Sequence, residues 1–178
     1  MLTNSTYCDY YSVMSYENRT IDAIDRQILV MLQANSRVPN VEIARRVEMA
    51  PSAVLERIRK LEEHGIIRGY AAQLNPRELG QGLLAFVLVR TDGCAWEAQT
   101  AAKLADMPEV QEVHHIAGED CFLVKIRACD TATLGEMLRD RVSALPSVRS
   151  TRTTIVLDTV KENLNVDLRD PEAKGEKS

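Results

Sequence analysis

Arg57, Arg59 and Lys60 crowd into four consecutive positions, with Ser52 and Ala53 one or two helical turns ahead of them and Glu56 directly before. Side chains of these types bind phosphate oxygens and base edges without making or breaking a covalent bond. At about 100° per residue, Val54, Ile58 and Leu61 gather on one side of a helix. Ser52, Glu56 and Arg59 then lie roughly opposite, flanked by Ala53 and Lys60, with Arg57 nearer the edge. A recognition helix needs this division, because its apolar face locks to a neighbour while small and basic groups near its start enter a major groove. The planar fork of Arg59 suits a guanine edge or a phosphate equally well. Taken alone, the same pattern also describes a solvated helix face.

A second candidate is the run Gly118-Glu119-Asp120-Cys121. A glycine turn between strands exposes backbone N–H groups beside carboxylates, which suits the carboxylate and ammonium of a small zwitterion. Its plain alternative is a hairpin turn with glycine at positive φ. The neighbours His114 and His115 invite a metal reading, but adjacent strand residues point to opposite faces and cannot easily share one ion. No carboxylate or cysteine stands beside them at ligand spacing, so no metal site is expected. No Ser-His-Asp set, Gly-x-Gly-x-x-Gly run or Walker loop can be assembled, and neither a catalytic residue nor a cofactor is expected. Cys8, Cys94, Cys121 and Cys129 form no Cys-x-x-Cys pair. With no basic leader or apolar block in the first twenty residues, the sequence reads as a cytoplasmic protein with free thiols.

The elements that would position these groups change period along the chain. Ile21, Ile24, Ile28, Met31 and Leu32 repeat at helical spacing behind the acidic, cap-like Asp22 and Asp25. After a break from Asn35 to Pro39, Asn40 is placed to cap a short helix holding Val41, Ile43, Ala44 and Val47. Glu48 to Ala50 breaks again, Pro51 opens the next helix and Gly65 stops it. Three helices of this kind outline a helix-turn-helix unit, followed by an extended stretch from Ile66 to Leu74. Beyond it the order is strand (83–89), helix (96–104), strand (110–116), Gly turn, strand (122–128), helix (134–142) and strand (148–160). Two tandem βαβ units predict a ferredoxin-like sandwich, one sheet covered by two helices. The run Leu83–Val89 lacks polar alternation, so the open sheet face needs a cover, and a second copy of the chain is the simplest one.

The chain of 178 residues has room for two small domains, and no apolar run approaches the roughly 20 residues of a membrane span. Its net charge of −4 hides a division: residues 1–36 carry −2, residues 37–75 carry +2 and residues 76–178 carry −4. The average therefore says little about a binding face that occupies only the middle segment.

The run Ile21-Asp22…Asp25…Ile28-Leu29…Leu32-Gln33…Asn35-Ser36-Arg37 resembles the opening of the leucine-responsive/asparagine regulator (Lrp/AsnC) family. Glu42-Ile43-Ala44…Val47, Pro51-Ser52…Leu55-Glu56-Arg57-Ile58-Arg59-Lys60-Leu61-Glu62 and Gly65-Ile66-Ile67…Gly69-Tyr70 continue it. Asn75-Pro76, Ala117-Gly118-Glu119, Leu145-Pro146 and Thr151-Arg152-Thr153 extend it to Lys161. The resemblance implies an α+β protein, a winged helix-turn-helix domain followed by a ferredoxin-like βαββαβ effector domain. It implies double-stranded DNA and an amino-acid effector as partners, and a homodimer that assembles further to an octamer. By position it assigns Pro51, Ser52, Ala53, Leu55, Glu56, Arg57, Arg59 and Lys60 to DNA, with Arg45, Arg46 and Arg68 as phosphate contacts. It assigns Gly118, Glu119, Asp120, Cys121, Thr151 and Thr153 to the effector. The expected organisation is an N-terminal extension (1–20), a DNA-binding domain (21–75), a linker (76–82), an effector and oligomerisation domain (83–160) and a mobile charged tail (161–178). An alternative with the same two-domain architecture is a tetrapyrrole decarboxylase of the sirohaem type. Three positions depart from the family pattern: Glu48 where glycine is usual, Ala50 where a capping serine is usual, and Cys121 where many members have aspartate. The tyrosine-rich extension is also unlike the family, and Met14 is an alternative start.

Overall fold

The computed structural model describes residues 21–92 and 98–169. The expected extension before Ile21 and the chain end after Arg169 lie outside them. Two compact units are present, one running to Ala72 and resuming at Glu162, the other spanning Gln73–Lys161.

The first unit is helical. In α1 (Ala23–Ala34), Asp22 closes a capping box: its carboxylate accepts from the Asp25 N–H at 2.7 Å, and the Asp25 side chain accepts from the Asp22 N–H. Helix α2 (Asn40–Arg46) starts one residue earlier than a cap at Asn40 would allow. Pro39 is its cap residue and offers no side-chain acceptor, while its carbonyl takes the first helical hydrogen bonds from Glu42 and Ile43. Helix α3 (Pro51–Glu63) follows a bend in which Glu48 adopts φ 54°, a left-handed conformation that glycine occupies more cheaply. Ile28, Ile43, Ala44, Val47, Val54, Ile58 and Leu61 form the core between the three helices. Gly65 at φ 68° ends α3 as expected. Residues 66 and 67 bend back on the end of α3, both N–H groups donating to the Leu61 carbonyl, and residues 68–74 carry no regular element; among the described residues no strand pairs with this stretch, so it forms no wing there.

The second unit has β1 (Leu83–Thr91), α4 (Ala98–Ala105), β2 (Val110–His115), β3 (Phe122–Ala128), α5 (Thr131–Met137) and β4 (Val148–Ile155). Helix α5 continues through one π-helical turn, Leu138–Val142, which completes the helix expected there. The sheet order β2-β3-β1-β4, with every neighbour antiparallel, is that of two interleaved βαβ units. Register pairs Ala85 with Ile126, Val87 with Val124 and Val89 with Phe122, and these residues meet Leu104, Leu134, Met137 and Val142 on the helix-covered face. Strand β4 stops at Ile155 rather than near Val160. Its partner strand begins at Leu83, so the last available bond runs from the Val156 N–H to the Leu84 carbonyl, and Leu157 and Val160 stand exposed.

The other face of the sheet carries Leu84, Phe86 and Leu88 on β1 and Leu123 on β3, bordered by Glu112, His114, Lys125, Arg127, Arg152 and Thr154. Neither helix of the unit covers it, as two connections placed on one side of a sheet require. His114 and His115 separate as strand parity demands. His114 joins Glu112 on the open face at 3.0 Å, while the His115 ring meets Phe122 edge-on at 5.1 Å. That hydrogen bond, then the Lys125 ammonium, holds the Glu112 carboxyl below its ordinary range.

Candidate nucleic-acid and effector sites

Local sequence fixes how α3 is presented. Ala50 has the extended cap backbone (φ −68°, ψ 142°) but no side-chain acceptor, so Pro51 at the first helical position and the packing of Val54 hold the helix start. With Val54, Ile58 and Leu61 buried, Ser52, Glu56, Arg59 and Lys60 are exposed on the opposite side. Pro51 is exposed and Ala53 half-buried at their border. Leu55, 56% exposed, lies toward a flank shared with Leu32, Val38, Ile58 and Tyr70. Arg45, Arg46 and Arg68 are exposed on α2 and on the segment after α3. Three of these cations have a carboxylate on their own helix: Arg59 with Glu63 at 2.9 Å, Arg46 with Glu42 at 2.9 Å and Lys60 with Glu56 at 3.8 Å. Exposed pairs of this kind are worth roughly 0.3–0.5 kcal/mol, so they orient the cations without immobilising them.

Arg57 is a correction to the expected set. Its Nη1 donates to Asp22 at 2.7 Å and to Asp25 at 2.8 Å, binding α3 to the first turn of α1. It stands on the flank of α3, between the buried and outward faces, where the acidic start of α1 meets it. The Asp25 N–H, and after it Arg57, hold the Asp22 carboxyl below its usual range. On the other flank the Tyr70 hydroxyl donates to Glu62 at 2.9 Å, and burial, followed by that carboxylate, pushes its pKa up to about 12.

The Gly118 turn joins β2 to β3. Gly118 sits at φ 132°, a backbone that side-chain-bearing residues rarely adopt. Its two carboxylates meet cations from neighbouring strands: Asp120 accepts from Arg152 at 2.9 Å, and Glu119 lies 3.9 Å from Arg90. Arg90 follows Leu88 by two positions on β1, and Arg152 stands opposite Leu88 on β4, so both belong to the open face. Thr151 and Thr153 pair with Val89 and Val87 and therefore face the other way. The expected effector residues thus divide: Asp120 and Glu119 gather with Arg152 and Arg90 at one end of the open face, while the two threonines do not join them. Sequence reasoning misses Arg152 and Arg90, although strand parity relative to Leu88 is the signal that finds them.

Cys121 departs furthest from expectation. It is fully buried, its N–H donates to the Val89 carbonyl at 2.9 Å, and its sulfur accepts from the Thr91 hydroxyl at 3.1 Å. That sulfur is in a disulfide, so the expectation of free thiols is overturned at Cys121, whereas Cys129 is free and exposed. The buried Cys121 anchors the turn to β1 through these bonds.

Comparison with known proteins covers both units. Residues 21–62 match the AsnC-type helix-turn-helix domain, and residues 84–166 match the Lrp/AsnC ligand binding domain. The leucine-responsive regulatory protein of Salmonella typhimurium is 38% identical over 147 residues, covering 82% of this chain and 90% of that protein. The Escherichia coli protein of the same name is 37% identical over the same shares. Among solved structures, a transcriptional regulator of Neisseria meningitidis in complex with L-methionine superimposes with TM-score 0.78 and 32% identity, over 84% of this chain and 98% of that one. The feast or famine regulatory protein of Mycobacterium tuberculosis, complexed with L-methionine, gives TM-score 0.76 and 32% identity, over 83% and 99%.

Proposed function

The chain belongs to the Lrp/AsnC family of transcriptional regulators, and we propose that it reads double-stranded DNA with the outward face of α3 under control of an amino acid bound at the Gly118 turn. The observation that carries the first half is the division of α3. One face is locked into the helical core, and Ser52, Glu56, Arg59 and Lys60 stand outward, where Arg59 and Lys60 pair with carboxylates of α3 itself. In that position Arg59 reaches a guanine edge or a phosphate, and Glu56 accepts from a cytosine amine. Arg45, Arg46 and Arg68 supply backbone contacts that set register and carry no sequence information.

For the second half, Asp120 and Glu119 present negative charge to an ammonium, and Arg152 and Arg90 present guanidinium groups to a carboxylate. An α-amino acid carries both charged groups on one carbon, so it competes for both members of the ion pairs at once. The neighbouring apolar residues Phe86, Leu88 and Leu123 are half-buried and give the open face its need for a cover. A second copy meeting this face makes a dimer, and dimers assembling further make the octamer. Two α3 helices of a dimer then address successive major-groove faces about one helical turn apart. Binding energy for the amino acid shifts the assembly only in so far as it differs between the two states. DNA reading, not catalysis, is the output: both halves of the chain match regulator domains, and no observation of the site favours a tetrapyrrole decarboxylase.

The test is selection of bound DNA fragments from a random pool at fixed, stated salt, with and without each amino acid, L-methionine first. The expected result is enrichment of a two-fold symmetric sequence whose recovery changes with one or a few amino acids. Arg59→Ala should abolish the enrichment. A pool that stays unenriched with folded, assembled protein would overturn the reading.

A further inference from the structure

The composition after Lys161 predicts a mobile charged tail, yet Glu162–Arg169 belongs to the helical unit. The contact is specific. The Gln33 carboxamide on the last turn of α1 donates to the Val166 carbonyl at 3.0 Å and accepts from the Val166 N–H at 2.8 Å. An extended residue points its N–H and C=O to the same edge, so one carboxamide satisfies both as a neighbouring strand would. The two bonds fix the register of everything that follows.

Two residues on, Leu168 is half-buried in a groove lined by Arg26, Gln27, Val30, Met31 and Arg46. Arg26, Val30 and Gln33 follow at i, i+4 and i+7, one line along the outer side of α1, away from the core residue Ile28. Val30 is an exposed apolar residue on that line, which Leu168 partly covers. Leu164, Val166 and Leu168 alternate with Asn163, Asn165, Asp167 and Arg169, the period of an extended segment, and of the three only Leu168 is half-buried, Leu164 and Val166 standing exposed. Arg169 closes back on Asp167 at 2.6 Å.

We propose that Val166–Leu168 is a strap gripped by the outer line of α1. The chain then joins the helical unit to the α/β unit twice, once through the linker after Ala72 and once through the segment after β4. Gln33 is the register key and the Val30–Met31 groove is the apolar receptor. Because β4 also carries Arg152, the strap is a second covalent connection, separate from the linker, between a strand of the proposed effector site and the DNA-reading helices.

The experiment is amide hydrogen exchange on the full-length protein, resolved over residues 162–169 and over α1, in the wild type, Gln33→Ala and Leu168→Asp. Gln33 is exposed and alanine favours a helix, so Gln33→Ala leaves α1 folded. In the wild type the Val166 amide should exchange at least about tenfold more slowly than in an unstructured chain, since loss of a bond and its groove contact is worth about that factor. Both variants should bring the segment to within about twofold of the unstructured rate while α2 and α3 keep their protection. A wild-type segment exchanging at the unstructured rate, or one unaffected by either substitution, would overturn the strap. The readout needs neither DNA nor an amino acid, so its failure leaves the regulator reading standing.

Discussion

Arg57→Ala removes a guanidinium that ties α3 to the first turn of α1, and its cost can be worked from the geometry. The bond to Asp25 joins a side chain 29% exposed to one 15% exposed, so it keeps much of the strength of a charged hydrogen bond. The bond to Asp22, whose side chain is 47% exposed, is screened and behaves as a surface pair. Taking about 1.5 kcal/mol for the first and about 0.5 kcal/mol for the second gives a loss of about 2 kcal/mol. For a unit this small that corresponds to a melting temperature lower by roughly 8–16 °C, if it melts on its own. Calorimetry or far-UV circular dichroism on heating reads this directly.

The pH dependence is a second, independent signature. The Asp22 carboxyl is depressed in the folded state, so its contribution is fully present above its ordinary value of 3.8 and is lost as pH falls through the lower folded value. The gap between wild type and Arg57→Ala should therefore be flat from neutral pH to about pH 5 and narrow below about pH 4. DNA binding separates the roles further. Well below the melting temperature, Arg57→Ala should leave the slope of log affinity against log salt unchanged, whereas Arg59→Ala should reduce it by about one. An Arg57→Ala protein with unaltered melting but a shallower salt slope would refute the assignment of Arg57 to the α1–α3 junction.

Ala50→Ser places an acceptor at a cap whose backbone is already extended, and should raise helical-unit stability by about 1 kcal/mol; an unchanged or lower melting temperature would sink that account. Glu48→Gly should gain about 0.5–1 kcal/mol, the left-handed strain of roughly 1–2 kcal/mol less the greater freedom of an unfolded glycine. Glu48→Ala, which relieves no strain, is the control for that measurement. Leu88→Lys puts a charge in the centre of the open sheet face and should shift sedimentation from an assembly toward monomer, with melting of the α/β unit nearly unchanged; an assembly of wild-type mass would show that another surface joins the copies.

The legible parts of this molecule are those whose signal is periodic and local. Val54, Ile58 and Leu61 announce the buried side of α3, and alternation in Phe122, Val124, Ile126 and Ala128 announces β3. Glu48 stands where the family usually has glycine, and its backbone is left-handed because a tight bend between two short helices demands a positive φ whatever residue fills it. What escapes a sequence reading depends on partners far away in the chain. Arg57 looks like its neighbours Arg59 and Lys60 until Asp22 and Asp25 are folded against it, from more than thirty residues away. The strap escapes for a different reason: three apolar residues diluted among charges read as a tail by composition, though their spacing of two is that of an extended segment. Cys121 escapes because burial of a turn residue is invisible to spacing.

The charge pattern of α2 and α3 bears on how such a small basic surplus can hold DNA. Each of Arg46, Arg59 and Lys60 has a carboxylate one turn away, so the field of the reading face is weaker than its cation count implies. Counterion release scales with phosphates neutralised, and a face with intrinsic carboxylates neutralises few, which keeps binding to arbitrary DNA weak. Contact with a matching base edge is different, since a bidentate guanidinium or carboxylate bond is worth about 1–3 kcal/mol of discrimination and is not available on a wrong sequence. A single unit of this kind is therefore selective but feeble. Linking two or more units turns each later contact into an intramolecular one and multiplies affinity without adding charge, so the proposed assembly is what makes a chain of net charge −4 a DNA-binding protein. Any ligand that alters how the units are joined would then act on the main source of affinity, which is how the proposed amino-acid site at the edge of the open sheet face would control DNA reading.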